Sequence, residues 1–239
     1  MITTSELAPL RQHGYVHVPG VLTAEWLERL RPAFDAASKA GNRQRVWQET
    51  LLGIPEFLEL LEYPPLLDRL RAVFGDQLQM LSYDLLYQAP QTKGVEYNWH
   101  RDFVFPGDEP LAVNSIIYLD DIDAERGPTS VIPGTHRGHA VPPKDKVHGP
   151  LPGQVRCCVK AGDVVFINSA VWHSGGLNRS ATGERRVIYL YWGYWWLKRD
   201  YQHAQIPSAA LAGASDTRRN LLGLLPPGKG DMWMYDPPR

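Results

Sequence analysis

The stretch from Leu78 to Tyr194 most restricts what this chain can fold into. It consists of short apolar and aromatic runs separated by Gly, Pro and Asp, a pattern typical of an antiparallel barrel or sandwich. The number of runs favours a mainly β fold, the double-stranded β-helix or jelly roll (cupin-like). We predict strands at residues 78–88, 97–103, 112–119, 130–132, 154–159, 163–168, 173 and 185–194.

Amphipathic segments at about residues 23–75 predict a flanking layer of N-terminal helices over one side of this sheet. Thr23 can cap the first helix, Pro32 is expected to kink or split it, and Gly75 can end the last one. The segments are given no chemical role.

The 239 residues are 44% hydrophobic, which is enough for one sizeable core. We therefore predict a single domain over residues 1–239. Within it, the barrel core would occupy about residues 78–196, and an aromatic-rich C-terminal extension would occupy residues 197–239.

His100 and Asp102 form the candidate centre of the molecule. In an extended strand, residues two apart point the same way, so an imidazole and a carboxylate would project into one cavity. His173, at the end of a later strand-like run, is the third candidate ligand. Two histidines and one carboxylate with open positions describe the facial triad of non-haem Fe(II) oxygenases. A zinc-dependent hydrolytic site could use the same three residue types.

Further motifs accompany this triad in a fixed order. They are GPTSVIPGTH at residues 127–136, GDVVF at 162–166, HSGG at 173–176 and NRS at 178–180, followed by Arg185 and Arg186. With the His-x-Asp motif, this order resembles the phytanoyl-CoA dioxygenase family, and the likeness runs from about Gly14 to Gly223.

The resemblance implies an Fe(II)- and 2-oxoglutarate-dependent oxygenase with His100, Asp102 and His173 as metal ligands. Dioxygen and 2-oxoglutarate would be consumed, and a small organic metabolite or biosynthetic intermediate would be hydroxylated with release of succinate and CO2. Because halogenases of related fold lack the carboxylate ligand, Asp102 favours hydroxylation.

The resemblance also implies residues that bind the cosubstrate. A fixed arginine would pair with the far carboxylate of 2-oxoglutarate, and this role maps to Arg185. Because the preceding turn is one residue longer than expected for the family, Arg186 stays an alternative. Tyr83, Tyr87 and Asn114 are candidate polar contacts, although each could equally be a satisfied core residue.

Composition and charge restrict the partners. The net charge is −1 and the sequence pI is about 6.7, so no global field attracts nucleic acid or an acidic membrane surface. No apolar run reaches the length of a membrane span, and the expected partner is a small-molecule substrate. The alternative is a non-catalytic jelly-roll protein that binds a ligand or sugar, a reading suggested by the eight tryptophans.

Smaller features complete the predictions. Cys157 and Cys158 are adjacent, so on a strand they would face opposite sides and stay reduced, which fits a cytoplasmic location. His136, His139 and His148 are expected at the surface near a loop at the barrel mouth. Arg101 is expected to point away from the ligands that flank it.

Overall fold

Two antiparallel sheets form a double-stranded β-helix in the computed structural model, which describes residues 6–39, 44–143, 148–197 and 206–224. The larger sheet has the strand order β1-β7-β4-β9-β3-β2, and the smaller has the order β6-β5-β8. The strands are β1 (Tyr15–Val18), β2 (Arg45–Trp47), β3 (Leu78–Gln88), β4 (Ala112–Tyr118), β5 (Thr129–Ile132), β6 (Val155–Cys157), β7 (Val164–Asn168), β8 (Trp172–Ser174) and β9 (Arg185–Tyr194).

Helices cover the outer face of the larger sheet, as the amphipathic segments predict. They are α1 (Ala8–His13), α2 (Ala24–Lys39), α3 (Gln48–Leu51), α4 (Pro55–Leu61), α5 (Pro64–Phe74), α6 (Ser208–Leu211) and α7 (Asp216–Leu221). Thr23 accepts a hydrogen bond from the backbone N–H of Trp26 at the start of α2, and Gly75, with a φ of 71°, ends α5. Pro32 lies inside α2, which continues through it. None of the helices in the described part of the chain has the length and apolar character needed to cross a bilayer.

The strands separate two hydrophobic cores. One core lies between the larger sheet and the helices and includes Leu30, Phe57, Phe74, Tyr83 and Leu190. The other lies between the two sheets and includes Ile116, Val131, Val165, Val171 and Val187. Each long strand therefore has one helix-facing side and one inner side, because successive side chains of a strand point to opposite faces.

The β3–β9 pair is the longest ladder of the larger sheet. Gln88 lies opposite Arg185, Asp84 opposite Tyr189, and Leu78 opposite Tyr194, with an irregularity between Met80 and Ser82. β4 lies on the other side of β9, which places β9 inside the sheet. Side chains of β9 that point inward are thus enclosed by strands on both sides.

One predicted strand is absent. Residues 97–103 form no regular strand, and their one β-bridge joins His100 to His173. Tyr97 has a φ of 63°, a left-handed conformation that interrupts an extended chain. Within the predicted stretch 154–159, the regular strand is confined to β6.

The predicted extension at residues 197–239 is described only in part. Residues 198–205 and 225–239 lie outside the described residues. In the described part, Ala210, Leu221 and Leu222 are buried in the core that faces the helices. The single-domain organisation over residues 1–239 stays a prediction.

Candidate metal and cosubstrate site

Backbone hydrogen bonds bring the His-x-Asp segment against β8. The N–H of His100 donates to the carbonyl of His173 at 3.0 Å, and the N–H of His173 donates back to the carbonyl of His100 at 2.9 Å. Three residues on, the N–H of Phe103 donates to the carbonyl of Ser169 at 3.0 Å. The segment is therefore held on both sides of Asp102 although it is not a regular strand.

The three candidate ligands converge on one point. The Nε2 atoms of His100 and His173 lie 3.5 and 3.6 Å from Oδ1 of Asp102, and one ligand atom from each residue lies within 4.8 Å of the others. These N–O separations exceed those of ordinary hydrogen bonds. Two nitrogens and one oxygen that approach without closing on one another can hold a metal ion.

Both imidazoles are held by their other ring nitrogen. Nδ1 of His100 lies 2.9 Å from the carbonyl of Asn98, and Nδ1 of His173 lies 3.1 Å from the carbonyl of Val171. Since a carbonyl can only accept, each Nδ1 carries the proton. Each Nε2 lone pair is then directed at the ligand cluster, the tautomer that a metal requires.

Burial and mutual charge shape the titration of the cluster. Burial lowers the pKa of His173, the least exposed of the three at 7% of its side chain. For His100, burial would lower the pKa, but the Asp102 carboxylate and the Asn98 carbonyl outweigh it and the pKa is raised. For Asp102, burial would raise the pKa, but His173, His100 and Asn114 outweigh it and the pKa is lowered. Asp102 is therefore ionised at neutral pH, as a ligand must be.

Asn114, a predicted cosubstrate contact, lines the cavity that contains the candidate ligands. It projects from β4 into the cavity beside Asp102, and its side chain helps to lower the pKa of that carboxyl. Its Oδ1 is buried without a hydrogen-bond partner among the described residues. Asn114 therefore places a polar side chain next to the carboxylate ligand.

Arg185 lies on the inner face of β9. Its side chain is fully buried and shares that face with Val187, Tyr189 and Tyr191, and it pairs in register with Gln88, which lines the cavity. No described residue accepts a hydrogen bond from its Nε, Nη1 or Nη2. Because a buried cation without a partner is costly, this guanidinium indicates a place for an anion.

Arg186, the alternative, points to the opposite face and is engaged there. Its guanidinium donates to Asp35 at 2.7 Å and Asp120 at 3.0 Å, and also contacts Glu184. Burial would lower the pKa of Arg186, but Asp35 and Asp120 outweigh it and the pKa is raised. The structure therefore leaves Arg185 as the one of the two arginines that faces the interior.

Tyr83 and Tyr87 require a correction, since neither lines the cavity. The Tyr83 hydroxyl is fully buried and donates to the carbonyl of Phe57 at 3.1 Å, and the Tyr87 hydroxyl donates to Glu184 at 2.9 Å. Both contacts lie on the helix-facing side of β3. The residues that alternate with these tyrosines along β3, including Ser82 and Asp84, face the cavity instead.

Several residues of the cavity wall were not predicted from the sequence. The cavity, of about 810 Å³, contains the three candidate ligands and also Arg45, Asp84, Tyr189 and Tyr191. One signal could have identified the β3 residues: positions 82, 84 and 88 are Ser, Asp and Gln, whereas 83, 85 and 87 are Tyr, Leu and Tyr. The face of β3 that carries these polar side chains is the inner face.

Two neighbouring predictions have clear outcomes. Arg101 points away from the ligands, as expected, and donates to the backbone carbonyls of Gly138 and Ala140. His136 is buried instead of lying at the surface; one ring nitrogen lies 3.0 Å from the carbonyl of Arg11, and burial lowers its pKa.

Fold and site together define a class. A double-stranded β-helix carries a two-histidine, one-carboxylate cluster inside the barrel, and on the same inner face it buries an arginine that has no hydrogen-bond partner among the described residues. This is the arrangement of non-haem iron oxygenases. The family model of phytanoyl-CoA dioxygenase (PhyH) matches residues 10–187, and the chain belongs to the phytanoyl-CoA dioxygenase family.

Curated relatives are named for the same type of chemistry. The chain is 25% identical over 202 residues to "Dioxygenase af480" of Aspergillus fumigatus, covering 77% of this chain and 65% of that protein, just under two thirds of its length. It is 28% identical over 220 residues to "L-proline trans-4-hydroxylase" of Streptomyces griseoviridis, covering 74% of this chain and 81% of that protein.

Solved structures share the fold. HygX from Streptomyces hygroscopicus, with nickel and 2-oxoglutarate bound, has a TM-score of 0.65 at 19% identity, over 83% of this chain and 89% of that one. The epimerase SnoN, in complex with Fe3+, alpha ketoglutarate and nogalamycin RO, has a TM-score of 0.64 at 23% identity, over 80% and 83% of the two chains. These similarities confirm the predicted jelly roll.

Proposed function

We propose that this protein is an Fe(II)- and 2-oxoglutarate-dependent oxygenase that hydroxylates a small organic molecule. The observation that carries the proposal is the convergence of two imidazole nitrogens and one carboxylate oxygen inside a barrel that also buries an arginine with no partner in the described part of the chain. Family membership supports the same reaction type. The chemistry that bound Fe(II), 2-oxoglutarate and dioxygen would supply is C–H hydroxylation with release of succinate and CO2.

His100, Asp102 and His173 are the proposed metal ligands. Their backbone-held Nδ1 protons leave Nε2 free on both histidines, and Asp102 is held ionised by its neighbours. Two neutral imidazoles and one carboxylate would leave a divalent ion with a net charge of about +1. A site of this charge favours an anionic chelating cosubstrate.

Arg185 is the proposed partner of the far carboxylate of 2-oxoglutarate. The donor set fits, because a guanidinium binds a carboxylate with two parallel hydrogen bonds. The environment fits as well, since the Arg185 side chain is fully buried and unpaired among the described residues. Arg186 does not fit, because it is already held by Asp35 and Asp120.

The remaining wall suits a small substrate with an apolar body. Apolar side chains that line the cavity come from Leu81, Leu86, Phe103, Ile116 and Leu177. They would exclude water from the reacting C–H bond and position it near the metal. Among the relatives, L-proline trans-4-hydroxylase is named for an amino-acid substrate, which supports a small metabolite here.

The two alternative functions leave the arginine without a role. A zinc-dependent hydrolytic site would use the same three ligands but would not require a buried guanidinium beside them. A sugar-binding jelly roll would require neither the three converging ligands nor Arg185. A cytoplasmic location stays a prediction; it rests on Cys157 and Cys158, which form no disulfide in the structure.

Anaerobic addition of Fe(II) and 2-oxoglutarate to the metal-free protein tests the proposal directly. We expect the weak visible charge-transfer band of a chelated Fe(II)–2-oxo acid complex, and we expect its loss in Asp102→Ala. Zn(II), which binds but has no such transition, is the matched metal control. Fe(II) bound tightly without the band at saturating 2-oxoglutarate would overturn the proposal.

A further inference from the structure

Arg45 brings a positive charge to the wall of the metal-containing cavity. It lies on β2, at the edge of the larger sheet, and it is the one lysine or arginine among the described residues that line this cavity. Its side chain is 46% exposed. Arg45 therefore differs from Arg185, the first residue of β9, whose side chain is fully buried on the inner face.

Three neighbours hold the Arg45 guanidinium in place. Nε donates to Oδ2 of Asp84 at 2.6 Å, and Cζ lies 5.1 Å from the ring centroid of Trp47 and 5.7 Å from that of Tyr189. The Asp84 side chain is only 7% exposed, so this carboxylate requires its cationic partner. Cation–π contacts on two rings further restrict the guanidinium.

An arginine ordered in this way can bind a ligand at a lower entropic cost than a flexible arginine at the surface. Long side chains at a surface lose conformational entropy when they bind a ligand. Here the ion pair and the rings have already ordered the side chain, and the bond to Asp84 engages Nε, not the two terminal nitrogens. A planar guanidinium fixed in this way can receive two oxygens of a planar anion.

The local charge selects among anions. Arg45 is the one lysine or arginine among the described residues that line this cavity, so the wall offers one positive charge, which matches a singly charged anion better than a doubly charged one. A carboxylate carries one charge, whereas a phosphate monoester carries nearly two at neutral pH. The surrounding wall includes apolar side chains from Leu81, Leu86 and Trp47.

We propose that Arg45, held by Asp84, Trp47 and Tyr189, binds a carboxylate group of the substrate. The substrate class is then a small carboxylic acid with an apolar carbon body, which includes amino acids. Arg45 anchors the acid group at the cavity wall while the body extends among the apolar side chains. This inference rests on the proposed function but concerns a different ligand and a different arginine.

Binding of matched probes tests the proposal. The panel contains α-amino acids, alkanoic acids and phenylalkanoic acids, each compared with its primary amide and with the alkyl phosphate of equal chain length. Affinities are measured by titration calorimetry on the metal-free protein and on the protein loaded with Fe(II) and saturating 2-oxoglutarate. Substrate-dependent succinate release gives kcat and KM for the acids that turn over.

We expect acids to bind and their amides and phosphates to bind at least about 10-fold more weakly. Arg45→Gln should weaken binding of the best acid, and raise its KM, by about 10- to 100-fold. Its KM for 2-oxoglutarate and its Fe(II) band should stay unchanged. Arg45→Lys, which keeps the charge but loses the planar fork, should recover part of the affinity.

Two further variants separate recognition from folding. Arg71→Gln removes an arginine of α5 that pairs with Asp68 and Asp76, and it should leave acid binding unchanged. The double variant Arg45→Gln/Asp84→Asn leaves no buried charge unpaired, so it tests recognition even if Arg45→Gln alone fails to fold. It should bind an acid and its amide equally.

The proposal is overturned by equal binding of acids and amides to the parent protein, by unchanged acid affinity in Arg45→Gln, or by no acid binding below about 10 mM. Failure of the proposed function has a different signature. In that case the Fe(II)–2-oxoglutarate band is absent from the parent protein, while Arg45-dependent acid binding to the metal-free protein still supports the acid site.

Discussion

Arg185 and Arg186 are neighbours on β9 and have opposite surroundings. Arg186 faces the helices, where Asp35 and Asp120 bind its guanidinium. Arg185 faces the interior, where none of the described residues accepts a hydrogen bond from it. On the outer face, Arg186 links a helix, a loop and a strand. On the inner face, the Arg185 guanidinium can bind an anionic ligand. The comparison separates structural polar groups from functional ones.

A pair of aspartates gives the largest expected difference between the two faces. Asp102→Ala removes an inner carboxylate ligand and should weaken Fe(II) binding at least about 100-fold. Asp120→Ala removes a partner of Arg186 and should leave Fe(II) affinity unchanged while lowering the free energy of unfolding by about 1–3 kcal/mol. Metal titration and denaturant unfolding of both variants measure the two quantities. Parent-like Fe(II) affinity in Asp102→Ala would contradict the ligand assignment.

The two arginines themselves give the sharpest comparison. Arg185→Gln should lower the affinity for 2-oxoglutarate by about 100-fold, through loss of two charge-assisted hydrogen bonds. It should not lower the free energy of unfolding without ligand, because it removes an unpaired buried charge. Arg186→Gln should do the reverse, with unchanged affinity for 2-oxoglutarate and a loss of about 1–3 kcal/mol in stability. Anaerobic 2-oxoglutarate titrations and urea unfolding provide the measurements.

A reversed outcome for the arginines would exchange the roles of the two faces. If 2-oxoglutarate binding depends on Arg186 and not on Arg185, the observed ion pairs with Asp35 and Asp120 must open in the complex. Arg185→Lys is the matched control for charge alone. It should retain part of the cosubstrate affinity, because an ammonium lacks the bidentate geometry.

The tyrosines of β3 test the outer face with a smaller effect. Tyr83→Phe leaves the Phe57 carbonyl without its hydrogen bond and should lower the free energy of unfolding by about 1 kcal/mol. Tyr87→Phe removes a part-buried contact with Glu184 and should cost less. Neither should change the KM for 2-oxoglutarate. A rise of 10-fold or more in that KM would show that these hydroxyls contact the cosubstrate.

The adjacent cysteines Cys157 and Cys158 compare a buried and an exposed position at the end of β6, and their modification should have the smallest effect on function. Cys157 faces the inner core, and burial raises its pKa to about 12, whereas Cys158 is exposed. At pH 8 a thiol-specific alkylating reagent should therefore modify Cys158 and spare Cys157, without altering the Fe(II)–2-oxoglutarate band. Mass spectrometry after proteolysis locates the label. Modification of Cys157 in the folded protein would contradict its burial.

Local patterns accounted for much of the site because the motifs are short and contiguous. The His-x-Asp spacing placed His100 and Asp102 together, and the run before His173 placed it at a strand end. That spacing brings two side chains together only in a regular strand at 97–103, yet Tyr97 has a positive φ and the one β-bridge of the segment is at His100. Backbone bonds to β8, distant in sequence, give the same proximity by another route.

The failures concern which face a side chain occupies. Tyr83 and Tyr87 share one face of β3, as expected for residues four apart in a strand, but that face is the one that packs against the helices. A one-residue change of register exchanges every side chain between faces. Both faces of β3 are buried, so only the polar residues Ser82, Asp84 and Gln88 distinguish the inner face. Arg45 was missed for a related reason, since a three-residue edge strand has too short a pattern to be recognised.

The sequence by itself determined the fold class, the helical layer and the order of the ligand motifs, because strand periodicity, capping residues and motif spacing are local properties. Only the tertiary structure decided that Arg185 faces the interior and Arg186 the helices, that His136 is buried, and that Arg45 reaches the metal-containing cavity. Those outcomes depend on which distant segments supply partners. Asp35 and Asp120 bind one arginine, while the interior of the barrel leaves the other for a ligand.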